Sequence, residues 1–534
     1  MTDATRSKSS PGQSRVPAHL VVAVVVVSLA AALWPVRPAA AQQVPAAPPA
    51  AAGDMVPAFL PGACASNFDL PDGFVLGETA RCGVVRVPQS RERAGLPPLN
   101  LPVAVLTAPT AAAGATPLLY LAGGPGGSGL EEVSLGFLDS PLGQTLVRQR
   151  PVIAFDQRGT GRSLPSLTCP MLPVVDTDAV SIIKGAQSPA IDQVRACRAE
   201  LERRGVDLAS FNTTETSHDV QDIIHALGYE RAILMGTSYG TTGVLFTLRN
   251  HPEVVESAIL DGVAPPQWLD GYEGDVLEEE AHLAFGRFLR DCERDTVCDA
   301  EYPNLRGQFA ELVARSNERL QLFVDEDTGE TVEVSFGALA ELFLEVISIP
   351  SLAEQVPLFV AGVLEGDTEM LADELGFLLF LAGLGDVPDD GDPSDRPEAA
   401  RRAPKAIYDA VLCADFPPGT PFGGRAVCDA WGVPYRGAQV SEPVASTVPV
   451  LLLSGNYDFQ TPPVWAEMTA STLPNNHAYL FPAAGHVVTY SQHSACVAVI
   501  ALSFIAAPLL QPADGCIDEL EGPRFVPRPD RPLA

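Results

Sequence analysis

Five short apolar runs bounded by turn residues, with a long stretch of helical periodicity between the third and fourth, organise this 534-residue chain. The runs cover 117–121, 231–235, 255–260, 447–455 and 477–481. Their length and near-continuous apolar character predict strands buried on both faces, and earlier strand patterns precede the first run. After 231–235 the spacing turns helical over 241–249 and stops at His251-Pro252. From 261 to about 437 helical periodicity dominates, over 276–292, 305–322, 335–347, 352–363 and 370–381. An acidic, Pro/Gly-rich break at 385–395 divides that stretch. The pattern predicts an α/β core, residues 63–264 and 438–534, interrupted by a mainly helical cap at 265–437.

The sharpest chemistry lies at one strand-to-helix junction. Gly236-Thr237-Ser238-Tyr239-Gly240 follows the 231–235 run directly and opens the 241–249 helix. A G-x-S-x-G pentapeptide in that setting lifts a serine Oγ above the sheet edge, because bare backbone on either side permits the sharp turn. The helix N-terminus then points at Ser238 and favours a developing oxyanion. Taken alone the pentapeptide is common; strand before and helix after are what single it out.

A nucleophilic serine needs a base and an orienting carboxylate. The 447–455 strand opens onto Asn456-Tyr457-Asp458, and the 477–481 strand onto Pro482-Ala483-Ala484-Gly485-His486. Asp458 and His486 therefore sit just past strand ends on the same edge as the serine, in the order acid then histidine expected of an α/β-hydrolase fold. Asp261, which ends the 255–260 strand, is the rival acid, and His493 the rival base, although it follows no strand. His218, His225 and His282 lie in helical patterns, and His251 precedes a proline.

The 117–121 strand leads into Ala122-Gly123-Gly124-Pro125-Gly126-Gly127-Ser128-Gly129. Gly124, Gly126 and Gly129 spell G-x-G-x-x-G, but a proline interrupts the loop and no acid ends a next strand at the spacing of about 20 residues a dinucleotide site needs. Bare backbone able to aim an N–H at a carbonyl oxygen suits an oxyanion hole better, with Gly124 and Tyr239 as the candidate donors. Ser181-Ile182-Ile183-Lys184 matches S-x-x-K without the companion motifs and reads as chance.

The glycine loop, the segment Asp156-Gln157-Arg158-Gly159-Thr160-Gly161-Arg162-Ser163 and the serine pentapeptide occur together in this order. In this the chain resembles the proline iminopeptidase and tripeptidyl aminopeptidase family of serine exopeptidases, over roughly residues 80–265 and 445–500. Many members carry histidine before Gly-Gly-Pro-Gly; Ala122 here is like the secreted tripeptidyl type. The resemblance implies an α/β-hydrolase core of mostly parallel sheet with helices on both faces, cleavage of peptides from their amino terminus, and no cofactor. By position it points to the same Ser238, Asp458 and His486, and leaves Asp156 and Arg158 as structural braces. It also suggests an acidic residue near Val411-Leu412-Cys413-Ala414-Asp415 for the substrate ammonium, making Asp415 the candidate, ahead of Glu278, Glu279 and Glu280. A lid over Ser238 would exclude water and select substrates.

Charge and cysteines change the picture next. Net charge is −32, and residues 1–41 carry four basic and one acidic residue, leaving −35 on the remainder. Such a surface argues against nucleic acid and anionic membranes as partners. Arg6, Lys8 and Arg15 precede an apolar stretch at 20–33, and Ala39-Ala40-Ala41 completes a signal-peptide pattern with cleavage expected before Gln42. Residues 42–62, Ala- and Pro-rich, read as a tether. Export implies an oxidising compartment, so the ten cysteines are expected as disulfides in sequence-local couples: 64 with 82, 169 with 197, 292 with 298, 413 with 428 and 496 with 516. The composite expectation is an exported serine aminopeptidase acting on peptides without metal or cofactor, with a carboxylesterase or a catalytically silent binding protein as alternatives.

Overall fold

The computed structural model describes residues 57–169, 172, 174–176, 190–270, 274–324, 331–367, 402–418 and 424–528. The expected export signal, most of the expected tether, the expected helix at 370–381, the 385–395 break and Ser181–Lys184 lie outside the described residues.

Thirteen strands occur among the described residues, in chain order: β1 Ala58–Pro61, β2 Ala80–Val87, β3 Leu99–Leu106, β4 Leu118–Leu121, β5 Val152–Phe155, β6 Val174–Asp176, β7 Ala232–Thr237, β8 Val255–Asp261, β9 Arg319–Val324, β10 Thr331–Ser335, β11 Arg402–Pro404, β12 Val450–Gly455 and β13 Asn476–Phe481. Nine form one sheet in the order β1-β2-β3-β5-β4-β7-β8-β12-β13. The first four pair antiparallel, whereas β5, β4, β7, β8, β12 and β13 are all parallel. Parallel neighbours need crossovers, and these put helices on the sheet faces, so β4, β5, β7 and β12 are buried at every residue. All parallel strands end on one edge of the sheet. The Ser238 elbow, Asp458 and His486 each follow such an end.

Two apolar clusters lie against the sheet. One joins β3, β5 and β7 to the helices Thr213–Ala226 and Tyr239–Asn250, the other joins β4 and β12 to Pro141–Gln149 and Ser494–Ala506. A third is built from residues of 284–363, with Tyr457, Ala483 and Phe525 joining it. That cluster is the core of the inserted region. The helix Lys405–Asp415 and Trp431, by contrast, pack into the first sheet cluster, so this late part of the expected cap is continuous with the core in packing.

Two local expectations need correction. The end of the expected tether is strand β1, paired with β2 from Ala58↔Arg86 to Pro61↔Gly83, with Phe59 packed on the core. The expected helix at 305–322 stops at Ala314, and Arg319–Val324 forms a hairpin with Thr331–Ser335. Arg319-Leu320-Gln321-Leu322-Phe323 fits a period of two as well as a helical period, and the pairing strand decides between them. All five sequence-local cysteine couples are disulfide-bonded, with Cα–Cα distances from 4.8 to 5.7 Å.

Candidate active site

Ser238 caps the helix Tyr239–Asn250 with φ 53° and ψ −128°, a conformation non-glycine residues rarely hold. Crowding explains the flanking glycines. A Cβ on Gly236 would lie 2.6 Å from the Gly240 carbonyl carbon, and one on Gly240 would overlap the Leu121 carbonyl oxygen. The elbow is held from below, since the Ser238 N–H donates to the Asp261 carbonyl at 2.9 Å.

Asp458 and His486 meet. His486 Nδ1 lies 2.9 Å from Asp458 Oδ2, and the carboxylate is fully buried while the imidazole is 16% exposed. Asp458 also accepts from the Thr461 N–H at 2.9 Å and the Thr461 hydroxyl at 2.7 Å, and that hydroxyl lies 3.1 Å from His486 Nδ1. Burial lowers the imidazole pKa, but the Asp458 charge and hydrogen bond outweigh it, with Asp261 adding, so the net shift is upward from 6.5. With Nδ1 donating to Asp458, Nε2 is left as the basic nitrogen.

Asp261 does not contact the imidazole as an orienting acid. Its carboxylate accepts from the Val488 N–H at 2.9 Å, the Thr489 N–H at 2.8 Å and the Thr489 hydroxyl at 2.5 Å. Burial pushes its pKa up to about 6 against those hydrogen bonds. The end of β8 thus braces both reacting loops, and Gly262 keeps its α-carbon beside the ring, where a Cβ would lie 3.2 Å from His486 Cε1. His493 Nε2 is engaged by the Pro482 carbonyl at 2.8 Å, and burial lowers its pKa.

The glycine loop lies against the serine: a Cβ on Gly123 would sit 3.1 Å from Ser238 Cβ and 3.6 Å from Oγ. Gly124 follows at φ +116°, a value only glycine adopts freely, and opens the turn closed by the Gly127 N–H to the Gly123 carbonyl at 3.1 Å. Tyr239 is the first helical residue, so its N–H has no acceptor within the helix. Asp156 and Arg158 brace loops. Asp156 accepts from Ser128, Asn67, Leu130 and Arg162, while Arg158 is buried in a bidentate pair with Asp219.

Asp415 lies deeper than a cleft-lining carboxylate. It has no exposed surface, its Oδ2 accepts from the Thr213 N–H at 3.0 Å and the Thr213 hydroxyl at 2.6 Å, and its Oδ1 has no hydrogen-bond partner among the described residues. The same Thr213 hydroxyl lies 2.6 Å from the Tyr239 hydroxyl, one residue from Ser238. Burial pushes Asp415 up to about 6. Of the rival acids, Glu279 is exposed and Glu280 half-buried beside Arg287; the side chain of Glu278 is outside those described.

Sequence reasoning missed Thr461 and Ser348. Ser348, in the inserted region, accepts the His486 N–H at 3.1 Å through its carbonyl. A Cβ on Gly485 would overlap that carbonyl. Gly485→Ala is therefore expected to displace the histidine loop, and a misplacement of about 1 Å can cost 10²-fold in turnover. Steady-state kinetics beside a thermal melt check this; an unchanged kcat would show that the loop absorbs the methyl.

Fold and site together define an α/β-hydrolase. Residues 116–292 match the alpha/beta hydrolase fold family and residues 420–516 the TAP-like protein family. The serine protease Hip1 of Mycobacterium tuberculosis is 26% identical over 246 residues, 43% of this chain and 41% of that protein. The tripeptidyl aminopeptidase of Streptomyces coelicolor is 28% identical over 213 residues, 38% of this chain and 37% of that one. Carboxylesterase B of M. tuberculosis is 25% identical over 226 residues, 41% of this chain and 43% of its own. The chain thus aligns with about two fifths of the length of the relatives it matches.

Proposed function

We propose that this chain is an exported serine aminopeptidase that cleaves residues or short peptides from a free amino terminus through an acyl-enzyme. The observation that carries the reading is the strained Ser238 elbow, with the Gly123 backbone against it, on the sheet edge where Asp458 orients His486. His486 Nε2 takes the Ser238 proton as Oγ attacks the carbonyl, and the imidazolium so formed is stabilised by Asp458. The Gly124 and Tyr239 N–H groups hold the oxyanion. His486 then protonates the leaving amine and activates water to release the acyl group. No metal or cofactor takes part. Five disulfides are consistent with the oxidising compartment that export implies. Because His486 must be neutral to act, and its pKa is raised, kcat/KM falls on the acid side through a value above 6.5.

Purified protein assayed on free and N-blocked peptide anilides beside p-nitrophenyl esters tests this. Cleavage that requires the free amine supports the peptidase. Ester turnover alone favours the second reading, a carboxylesterase with the same triad, to which the similarity to carboxylesterase B lends support. No turnover on any substrate leaves a silent hydrolase-fold binding protein.

For the substrate ammonium the proposed acceptor is Asp415, through the unpaired Oδ1, which a substrate reaches only when the surrounding chain opens because the residue has no exposed surface. Asp415→Asn should lower kcat/KM on free peptides roughly 10- to 150-fold, the worth of a charge-assisted hydrogen bond of about 1.5–3 kcal/mol, and spare small esters. Equal losses on both would instead make Asp415 a brace for Thr213 and the helix it begins.

A further inference from the structure

One half-buried carboxyl behind the glycine turn has no part in the mechanism above. Glu132 belongs to the helix Gly129–Leu135 that follows the turn. Its Oε2 accepts the Tyr120 hydroxyl at 3.2 Å. Gly127 packs so closely over it that a Cβ there would lie 2.5 Å from Oε1. The Tyr120 hydroxyl, wholly buried, is also 3.0 Å from Thr237 Oγ1 and 2.9 Å from the Tyr490 hydroxyl. A single carboxyl is thereby tied to the oxyanion turn and, through Tyr120, to the residue preceding Ser238 and to the loop that carries His486.

We propose that Glu132 is a positioning residue for the oxyanion turn and that its neutral form is the competent one, so that ionisation places a negative charge behind the oxyanion site. The inference rests on the acyl-transfer reading. By packing against Gly127, which closes the turn onto the Gly123 carbonyl, the carboxyl fixes the turn that presents the Gly124 N–H. Once ionised, it opposes the charge that the Gly124 and Tyr239 donors are arranged to stabilise. Burial pushes the carboxyl up to about 7, against the hydrogen bond from Tyr120, so both forms are populated near neutrality. The groups around it are few. Tyr120 and Tyr490 are shifted upward by burial and stay neutral. Glu131, on the same helix, is also pushed up to about 7 by burial, beside Asp156 and Arg162, and its charge adds to the upward push on Glu132. Asp261 at about 6 and His486 lie across the site.

The test is the pH profile of p-nitrophenyl ester turnover for the wild type, Glu132→Gln, Glu132→Ala and the control Glu131→Gln. The wild type should lose activity on the alkaline side through a value near 7, and the control should keep that limb at a slightly lower pH because the Glu131 charge no longer adds to the upward push. Glu132→Gln, which keeps neutral hydrogen-bonding capacity, should retain the low-pH rate and lose that limb. Glu132→Ala should be slower at every pH by roughly 10- to 100-fold, less than the 10²–10³ typical for loss of a whole oxyanion donor. An alkaline limb unmoved in Glu132→Gln, or Gln and Ala variants that behave alike, overturns the inference alone. A wild type inert on every ester and peptide overturns the acyl-transfer reading, and the inference with it.

Discussion

Replacing Ser238 by alanine is expected to remove turnover on every substrate while leaving the protein folded. Loss of the serine of such a triad costs about 10⁶ in kcat, because the nucleophile has no substitute. The fold is indifferent to the change for a structural reason. Ser238 is held by its backbone, through the Asp261 carbonyl and the helix it begins, and the side chain makes no cap hydrogen bond to that helix. Alanine keeps the Cβ, so the cost of holding φ at 53° is unchanged. Glycine removes it. Ser238→Gly should be as inactive as alanine but more stable by about 1–3 kcal/mol, the cost of a residue in so sparsely populated a conformation. Kinetics and chemical denaturation on the same preparations decide both points. Residual activity above about a hundredth of wild type, far from the 10⁶ loss expected of a triad serine, would move the nucleophile elsewhere.

The parts of this site legible in the sequence are those whose position follows from a strand ending. Ser238, Asp458 and His486 each lie within a few residues of a β7, β12 or β13 terminus, and parallel strands bring those termini to one edge. Glycine spacing made the loop against Ser238 legible for the same reason, since crowding demands bare backbone wherever the elbow and the loop touch. The disulfides were legible because each couple is local. What the sequence hid are groups whose role arises only when distant segments meet. Ser348 reaches the His486 backbone from the inserted region, and Glu132 is linked to Thr237 through the Tyr120 hydroxyl. Thr461 reads as an ordinary turn residue until its hydroxyl is seen between Asp458 and His486. Asp261 misleads in the opposite direction. It ends a strand on the correct edge, yet its carboxylate is filled by the backbone of 488 and 489. Strand β1 escaped notice because four residues beside an Ala/Pro-rich run carry no period of their own, and pairing with β2 supplies the order.

Asp458→Asn should lower kcat roughly 10⁴-fold with little loss of structure, since an isosteric amide fills the same buried space but cannot hold the required tautomer. Asp458 uses both oxygens: Oδ1 accepts the Thr461 N–H, while Oδ2 serves the Thr461 hydroxyl and His486 Nδ1. In the amide the oxygen stays with the Thr461 N–H, the contact that a buried backbone donor cannot forgo. The NH₂ then faces Nδ1, which must accept, so the ring proton moves to Nε2 and no base faces Ser238. The pH profile carries a second signature. The Asp458 charge and hydrogen bond raise the imidazole pKa, and burial opposes them. With the charge gone burial prevails, so the acid limb of the remaining activity should shift to lower pH. A positional defect alone would lower the rate without moving that limb. Thr461→Val probes the same pocket more gently. It removes the bridging hydroxyl but leaves the charge, so the limb should hold while kcat falls far less than in Asp458→Asn. A Thr461→Val loss equal to that of Asp458→Asn would mean the orienting function rests on the hydroxyl instead of the carboxylate.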